Sequence, residues 1–404
     1  MIVDISEIKR SKLDFNPYME EVKKIVEDVR KRGDSALVEL TKKFDGVSLE
    51  KIKVSDSEID NAYDEVDDEV IDALELAKEN IEKFHMIASV DREIKIDFDE
   101  TILGKVYVPY DCVGIYIPGG RASYPSTALM AGIPANLAGV ERIVACTPPN
   151  QNGKVNSLTL VACNIAGVDE IYAVGGAQAI AAMAYGTESV PKVDKIVGPG
   201  NVYVTAAKMV VQKDVPIDMP AGPSEILVIA DDTANPKFVA LDCAAQLEHD
   251  PMAFAAVITP SNRFAEEVER IATELKCSDR LKIATASLDE AIELANNIAP
   301  EHLSLVFDGC EDYLRKIKHV GSVFLGNYSA VAAGDYASGT NHILPTAGYA
   351  KFFSGLSVET FLRHFTYQIV TKKGLERIGK AIIKLAKEEG LKMHAKSVEE
   401  RLKD

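Results

Sequence analysis

The feature that most constrains the fold is an alternation of short apolar runs with helical segments, which extends from Val113 to about Gly326. The apolar runs are rich in β-branched residues and have about the length of strands: VGIYI, RIVACTPP, EIYAVGG, KIVGPGN, EILVIAD, MAFAAVITP, LKIATA, LSLVF and SVFLG. Strands that alternate with helices in this way indicate βαβ units, which build parallel sheets covered on both faces. The runs are numerous enough for two such sheets.

The segments that flank this alternation have other patterns. Over residues 16–84 apolar positions recur every three and four residues, as on one face of a helix. In the stretch IKIDFDETILGKVYVPY the period changes to two, with Gly104 near the expected turn, so a pair of antiparallel strands is predicted. After a glycine-rich polar stretch over residues 327–348, a helical run over about 375–402 is expected to form an appendage.

Length and charge limit the class of protein. A chain of 404 residues is long enough for two or three domains. Its formal net charge of −17 repels phosphate backbones, so no nucleic-acid partner is expected. The amino terminus MIVDISEIKRSKLDF mixes acids and bases, unlike a signal peptide, and no apolar run approaches the roughly 20 residues of a membrane span. The sequence therefore predicts a cytoplasmic protein with no membrane partner.

The cysteines are scattered along the chain and form no CxxC pair. This spacing argues against a disulfide framework and against a zinc site made of thiolates. We expect buried, reduced thiols at all six positions, which are Cys112, Cys146, Cys163, Cys243, Cys277 and Cys310.

Three glycine-rich segments each follow a predicted strand and precede a predicted helix: Ile117–Gly120, Val174–Gln178 and Gly198–Asn201. Ligands of α/β sheets bind at such strand ends, and the amino ends of helices favour phosphate groups. None of the segments reads GxGxxG, and each by itself is compatible with an ordinary tight turn. Three of them at one sheet edge favour a nucleotide-binding crevice.

Two short segments combine residues that suit metal binding or proton transfer. Gln246 and His249 are three positions apart, so on a helix both project from one face and can hold one ion. A solvated helix end is the alternative. Glu301 and His302 follow a proline and open an apolar strand, and a carboxylate beside an imidazole suits general acid–base catalysis. A charge pair at a helix end is the alternative there.

Two further segments carry candidate polar residues. The run GDYASGTNH over residues 334–342 contains Asp335 and His342, and it forms either a shaped site or a surface loop. His394 lies in the terminal segment KMHAKSVEERL, where solvated helix surface is the alternative. One Gln, one Asp and two His would supply nitrogen and oxygen donors without sulfur, which suits zinc or a similar divalent ion.

In chain order, the motifs IPGG, VGGAQAIAAMAYG, KIVGPGNVYV, AGPSEILVIAD, QLEH, APEHL, GDYASGTNHILPT and EEGLKMH resemble the motif series of the histidinol dehydrogenase family. They extend from Tyr116 to His394, and the helical lead-in also fits, so the resemblance covers most of the chain. APEHL and GDYASGTNH are the specific motifs, whereas GPGN and VGGAQ alone are weak signals.

The resemblance implies an α/β fold with two incomplete Rossmann-like domains, parallel sheets, a helical amino-terminal lead-in and a small carboxyl-terminal helical extension. The implied boundaries are an amino-terminal extension over 1–12, a first domain over 13–115 and 226–356, a second domain over 116–225, and a carboxyl-terminal extension over 357–404.

The resemblance also implies the roles of particular residues. It assigns one Zn²⁺ per chain to Gln246, His249 and Asp335, with His394 supplied by the partner subunit of a homodimer. It makes Glu301 and His302 the catalytic pair. The implied NAD-binding residues are Tyr116, Gln178 and Asn201. The implied substrate-binding residues are Ser224, Gln246, His249, His302, Asp335, His342, Glu389 and His394.

The implied reaction is a two-step oxidation of L-histidinol through L-histidinal to L-histidine, the last step of histidine biosynthesis, with NAD⁺ as co-substrate. His302 would act as base in both steps, and Glu301 would activate water in the second. A thiohemiacetal on Cys112 or Cys146 is an alternative intermediate, although neither thiol has an adjacent base in the sequence. A related zinc and NAD dehydrogenase of another small alcohol, or a non-catalytic nucleotide-binding protein, are the alternative functions.

Overall fold

The structure is a computed structural model that describes residues 2–10, 14–88, 91–98, 100–119 and 123–403. The chain divides into two compact units, one of Met1–Ala88 with Tyr110–Phe361 and one of Ser89–Pro109 with Leu362–Asp404. Among the described residues, no helix is both long enough and apolar enough to span a bilayer.

The strands are β1 (Ile2–Val3), β2 (Glu93–Phe98), β3 (Thr101–Pro109), β4 (Cys112–Tyr116), β5 (Arg142–Thr147), β6 (Glu170–Ala173), β7 (Lys195–Val197), β8 (Glu225–Ala230), β9 (Phe254–Thr259), β10 (Leu281–Thr285), β11 (His302–Val306), β12 (Ser322–Leu325) and β13 (Leu362–Val370). The helices are α1 (Asn16–Arg32), α2 (Asp34–Asp45), α3 (Asp56–Glu65), α4 (Asp68–Ile87), α5 (Pro125–Ala138), α6 (Ser157–Ile165), α7 (Gly176–Tyr185), α8 (Val202–Val211), α9 (Pro236–Glu248), α10 (Asn262–Glu274), α11 (Leu288–Ile298), α12 (Val331–Tyr336), α13 (Lys372–Glu388) and α14 (Lys392–Arg401).

The first unit contains two parallel sheets. One sheet has six strands in the order β1-β10-β9-β8-β11-β12, and the other has four in the order β6-β5-β4-β7. Every residue of β8, β9 and β11 is buried, which explains why these strands are uninterrupted apolar runs in the sequence. The predicted α/β class with parallel sheets is confirmed.

The predicted helical lead-in is confirmed as α1 to α4. The first helix shows why the three- and four-residue spacing is reliable, because Val22, Ile25, Val26 and Val29 form its buried face. Polar residues at the start of α3 support the helix amino end, since Ser55 and Glu58 form a capping box.

The amino-terminal extension is part of the fold, since Ile2 and Val3 pair with β10. The predicted boundary between residues 115 and 116 would cut β4, which pairs with β5 and β7 along its length. The strand therefore belongs with the four-stranded sheet, although the boundary implied by the family resemblance placed most of it in the first domain. The division into two Rossmann-like domains otherwise remains a prediction.

The second unit is built on a three-stranded antiparallel sheet in the order β13-β3-β2, followed by α13 and α14. The terminal helical run is confirmed, but β13 was not predicted because most of its side chains are exposed and it has no apolar run. The expectation for Gly104 was wrong. It lies inside β3 opposite Tyr367, whose ring occupies the space that a side chain would need.

Candidate active site

The catalytic candidates lie at the amino-terminal edge of the six-stranded sheet, where β8 and β11 begin side by side. His302 is the first residue of β11 and pairs with Ile226 of β8. One residue earlier, the Oε2 atom of Glu301 accepts a hydrogen bond from the backbone N–H of Glu225 at 2.9 Å. The Ser224 side chain lies near the same carboxylate and partly offsets the effect of burial on the pKa of Glu301. Two neighbouring strands thus fix one buried carboxylate.

The chain reaches this edge through a short break after α11. The helix ends at Ala299, which adopts the left-handed conformation with φ of 53°. Pro300 follows, and it cannot continue a helix, so the chain turns directly into the strand. The predicted placement of Glu301 and His302 at a strand entrance is therefore confirmed.

The His302 ring lies between two carboxylates. Its Nδ1 atom is 3.7 Å from Glu301 Oε2, and its Nε2 atom is 3.6 Å from Asp335 Oδ1. The ring packs near Phe324, and neither nitrogen makes a well-formed hydrogen bond with a described residue. Burial lowers the pKa of His302 to about 3. The imidazole is therefore neutral near pH 7 and keeps a nitrogen lone pair that can accept a proton.

The carboxylates around His302 have the opposite shift. Burial raises the pKa of Glu301 well above its usual value, and the nearby charges of Glu225 and Asp335 add to the effect. Burial and the charge of Asp242 raise the pKa of Asp335 to about 7. Burial likewise raises the pKa of Asp242 to about 6. Closely placed, buried acids of this kind attract a cation or retain protons.

The GDYASGTNH run is tied into the fold rather than free at the surface. Asp335 lies at the end of α12, and its backbone carbonyl accepts a hydrogen bond of 2.8 Å from Nδ1 of His342. This bond leaves Nε2 of His342 as the acceptor nitrogen, 3.5 Å from the hydroxyl of Thr127. The side-chain amide of Asn341 donates to a backbone carbonyl of α5 at 2.6 Å. The geometry favours a shaped site over a loose loop.

Gln246 and His249 lie at the carboxyl end of α9, close to the same sheet edge. Gln246 is buried within the last turn, and His249 caps the helix with an exposed ring. Burial lowers the pKa of His342 as it does that of His302, and the nearby His249 adds to both shifts.

The donor set is compatible with a divalent cation. Asp335 offers a carboxylate that has no Lys or Arg partner among the described residues, and Gln246 and His249 offer an amide and an imidazole at one helix end. A cation would also offset the raised pKa values of the neighbouring acids. In the part of the chain that the structure describes, no three or more His, Cys, Asp and Glu side chains form a group that could hold a metal ion.

The glycine-rich segments meet at the carboxyl-terminal edge of the four-stranded sheet. They follow β4, β6 and β7 and precede α5, α7 and α8, as predicted. The backbone N–H of Gly176 donates to the hydroxyl of Tyr116 at 3.0 Å. Gly198 has a φ of 112° and packs directly on the carbonyl of Tyr116, where a side chain would clash. Gly120, the last residue of the first segment, lies outside the described residues.

The two other residues expected at this crevice differ in exposure. Gln178 is buried within α7. Asn201 is exposed, and its side chain caps α8 by accepting hydrogen bonds from the backbone N–H groups of Tyr203 at 3.0 Å and Val204 at 3.1 Å. The amino ends of two helices and one exposed amide thus point to the same edge, an arrangement that suits a dinucleotide.

Comparison with known proteins decides the family. The model of the histidinol dehydrogenase family matches residues 8–402. The chain belongs to the histidinol dehydrogenase family. It is 58% identical to a histidinol dehydrogenase of Archaeoglobus fulgidus over 400 residues, with 99% of each chain covered. It is 50% identical to that of Methanocaldococcus jannaschii, with 98% of this chain and 95% of the relative covered.

The fold agrees with a solved member of the histidinol dehydrogenase family. The crystal structure of the Elizabethkingia anophelis enzyme superposes with a TM-score of 0.95 at 43% identity, covering 100% of this chain and 97% of that one. Membership makes this chain an enzyme, an oxidoreductase, and confirms the family resemblance of its motifs.

Two residues that the family resemblance brings into the site lie in the second unit. Glu389 caps the carboxyl end of α13, and His394 lies in the first turn of α14. Both side chains are exposed. Their roles remain predictions.

The structure adds residues that the sequence reasoning missed. Asp242 lies four residues before Gln246 on α9, and that helical spacing was a usable signal. Lys208 and Asp218 form a buried ion pair around Gly198. The Lys208 ammonium donates to the Gly198 carbonyl at 2.8 Å, and the Gly198 N–H donates to Asp218 at 2.8 Å. A lysine inside the apolar helix VYVTAAKMVV was the signal for this pair.

Proposed function

We propose that this member of the histidinol dehydrogenase family oxidises L-histidinol through L-histidinal to L-histidine, the last step of histidine biosynthesis, and consumes two NAD⁺. The observation that carries the proposal is the buried pair of Glu301 and His302 at the edge where β8 and β11 begin. A neutral imidazole and a carboxylate on adjacent residues provide one base for the alcohol and a second for water.

His302 acts first. Its unprotonated ring nitrogen accepts the hydroxyl proton of the alcohol, while the carbon gives up a hydride and becomes the aldehyde. NAD⁺ would supply the hydride acceptor in each oxidation. Because burial keeps the ring neutral, the base is available near pH 7 without first losing a proton.

Glu301 acts in the second oxidation. Its carboxylate removes a proton from water as the water oxygen bonds to the aldehyde carbon. The protonated ring of His302 returns its proton to the aldehyde oxygen, which yields the gem-diol and restores the neutral imidazole. His302 then accepts a diol hydroxyl proton as the second hydride leaves, and the acid results. The N–H of Glu225 holds the Glu301 carboxylate in a fixed direction for this step.

We further propose that Gln246, His249 and Asp335 bind one zinc ion per chain together with the partner subunit's His394. The zinc would hold the imidazole nitrogen and the amine of the substrate and thereby orient its hydroxymethyl carbon. The uncompensated carboxylate of Asp335 and the helix-end position of Gln246 and His249 support this set. Elemental analysis should find close to one zinc per chain, and a fully active protein without a divalent ion would contradict the assignment.

The remaining residues are assigned to NAD⁺ or to the substrate according to the sheet edge at which we propose that each ligand binds. Tyr116, Gln178 and Asn201 would contact NAD⁺ at the carboxyl-terminal edge of the four-stranded sheet, where the glycine segments meet. Ser224, His342 and Glu389 would contact the substrate beside the proposed zinc ligands. The acidic net charge of −17 argues against a nucleic-acid partner. The absence of a long apolar run in the sequence supports an enzyme without a membrane partner, for which we propose a cytoplasmic location.

The shared site can be tested by mixing two inactive variants, His302→Asn and His394→Asn, and refolding them together. If His394 acts across a homodimer, one site of each mixed dimer carries both defects and the other carries none. Random exchange at equal amounts should then restore roughly a quarter of wild-type activity. If His394 acts within its own chain, every site is defective and no activity returns, provided the subunits have exchanged.

The reaction itself is tested by counting NADH formed per histidinol consumed. Two NADH per histidinol, with histidine as the product, is the expected result. Oxidation of another small alcohol but not of histidinol would show that the proposed substrate is wrong and that the enzyme is still an oxidoreductase. Binding of NADH without any turnover would contradict the proposed function.

A further inference from the structure

The amino-terminal segment of the first unit is fixed against the six-stranded sheet. Its first residues pair with β10, and Ile8 is buried in the core beneath the sheet. The ammonium of Lys282 donates hydrogen bonds to the backbone carbonyls of Glu7 at 3.0 Å and Lys9 at 2.8 Å. These contacts fix the backbone of the segment and therefore the position of the next residue, Arg10.

At this position Arg10 contacts the carboxylate of Glu225. The Nη1 atom of Arg10 lies 2.9 Å and 3.0 Å from the two carboxylate oxygens, and the two side chains are 17% and 5% exposed. The backbone N–H of Ala347 donates to the same carboxylate at 3.1 Å. Glu225 at the start of β8 thus joins the amino-terminal segment to the segment that follows the GDYASGTNH run.

Glu225 is in turn the direct neighbour of the catalytic candidate Glu301. Its backbone N–H donates to the Glu301 carboxylate at 2.9 Å, so any shift in the start of β8 moves the donor of that bond. Its side chain also places a second negative charge beside Glu301. Within the described residues, Arg10 is the one Lys or Arg that forms an ion pair with Glu225, Glu301, Asp242 or Asp335.

We propose that Arg10 is a positioning residue of the reaction: it neutralises Glu225 and fixes the start of β8, so that Glu301 keeps the orientation needed to activate water. This inference rests on the proposed role of Glu301. Removal of one member of a buried ion pair leaves the other charged group uncompensated, whereas removal of both members is nearly neutral. A residue that acts through Glu225 must therefore lose its importance when Glu225 loses its charge.

The test is a cycle of the full-length variants Arg10→Met, Glu225→Gln and the double variant, with Lys282→Met as the matched control. Lys282→Met loosens the same segment without touching Glu225. Arg10→Met should slow oxidation of histidinal by about ten- to a hundredfold, as expected for a misplaced catalytic group. The double variant should return to within about threefold of wild type, because a neutral glutamine still accepts the Ala347 bond.

A second measurement is independent of turnover. Thermal unfolding of the metal-free protein should show a midpoint lowered by a few degrees in Arg10→Met and restored in the double variant. Arg10→Lys keeps the charge and should be slowed less than Arg10→Met. If Arg10→Met does not fold, recovery of folded protein in the double variant supports the proposal, and failure to recover contradicts it.

Three results would overturn the inference. The double variant could be as slow as Arg10→Met, the control Lys282→Met could be equally slow, or the double variant could show no recovery in unfolding midpoint. Failure of the proposed function is recognised separately, since wild-type protein would then yield no NADH from histidinol while the unfolding cycle still reports on the ion pair.

Discussion

Both parallel sheets carry acidic residues at their amino-terminal edge, but the two edges differ in whether basic partners compensate these carboxylates. In the four-stranded sheet Glu170 opens β6, and it pairs with Lys53 and Arg142 and accepts a hydrogen bond from Tyr172. Burial alone would raise its pKa, but these partners outweigh burial and lower it to about 2. This carboxylate is ionised and satisfied within the fold.

At the corresponding edge of the six-stranded sheet the balance is reversed. Burial and neighbouring acids raise the pKa of Glu301 and of Asp335. Among the described residues, the one Lys or Arg ion pair at this edge, that of Arg10 with Glu225, includes neither of them. The difference distinguishes a structural acid from catalytic candidates. An acid with basic partners stabilises the sheet, whereas acids without such partners, beside a neutral imidazole, can bind a cation and transfer protons.

The largest expected effect is at the uncompensated edge. His302→Asn removes the proposed base of both oxidations and should lower the turnover of histidinol and of histidinal by ~10² to 10⁴. Steady-state NADH formation with each substrate measures this. The neighbouring Ser304→Ala, which lies two residues along β11, is the control and should retain most activity. An active His302→Asn enzyme would place the base elsewhere.

Glu301→Gln should have a more selective effect. The amide can still accept the N–H of Glu225, but it cannot deprotonate water, so oxidation of histidinal should fall by about a hundredfold. Oxidation of histidinol to the aldehyde should change much less. Equal losses in the two half-reactions would contradict the division of work between Glu301 and His302.

The ion pairs of Glu170 in the four-stranded sheet should make the stability of the protein depend on pH. Because the folded-state pKa of Glu170 is lowered from 4.5 to about 2, its contribution is complete above pH 4.5 and is lost as the pH falls toward 2. With allowance for solvent screening, Glu170→Gln should lower the free energy of unfolding at pH 7 by about 1 kcal/mol. Denaturant unfolding at several pH values should show the difference disappear toward pH 2.

A control for Glu170→Gln is Glu266→Gln on the exposed face of α10. This change should alter stability little at either pH. A constant deficit for Glu170→Gln across the whole pH range would show that its effect comes from packing and not from its charge.

The smallest effect is expected from the cysteines. Burial raises the pKa of Cys112 to about 11, and burial raises that of the fully buried Cys146 still further. Neither thiol is therefore a reactive thiolate near pH 7. Cys112→Ala and Cys146→Ala should each change kcat by less than about threefold. Loss of the second oxidation in either variant would support a thiohemiacetal intermediate on that cysteine.

The sequence predicted the features that depend on local pattern. The apolar runs marked the parallel strands, and Pro300 between a helix and LSLVF marked the strand entrance of Glu301 and His302. The glycine segments were placed correctly because a strand and a helix flank each of them. The roles assigned to these residues came from the family resemblance and remain predictions.

The features that it missed depend on distant parts of the chain. Arg10 and Glu225 are separated by 215 positions, so no local pattern connects them. Gly104 was misplaced because its reason for being glycine is the ring of Tyr367 on another strand. The strand β13 was missed because its exposed side chains leave no apolar run. In each case the controlling interaction is tertiary.

NADH binding by wild type, His302→Asn and Asn201→Ser tests directly whether the chemistry and the dinucleotide lie at different sheet edges. Serine still caps α8, so Asn201→Ser removes only the amide proposed to contact the dinucleotide. We expect His302→Asn to bind NADH within about twofold of wild type despite its lost turnover. Asn201→Ser should keep its zinc and bind NADH roughly tenfold more weakly. Wild-type binding by Asn201→Ser together with lost binding by His302→Asn would contradict the assignment of chemistry and dinucleotide to the two sheet edges.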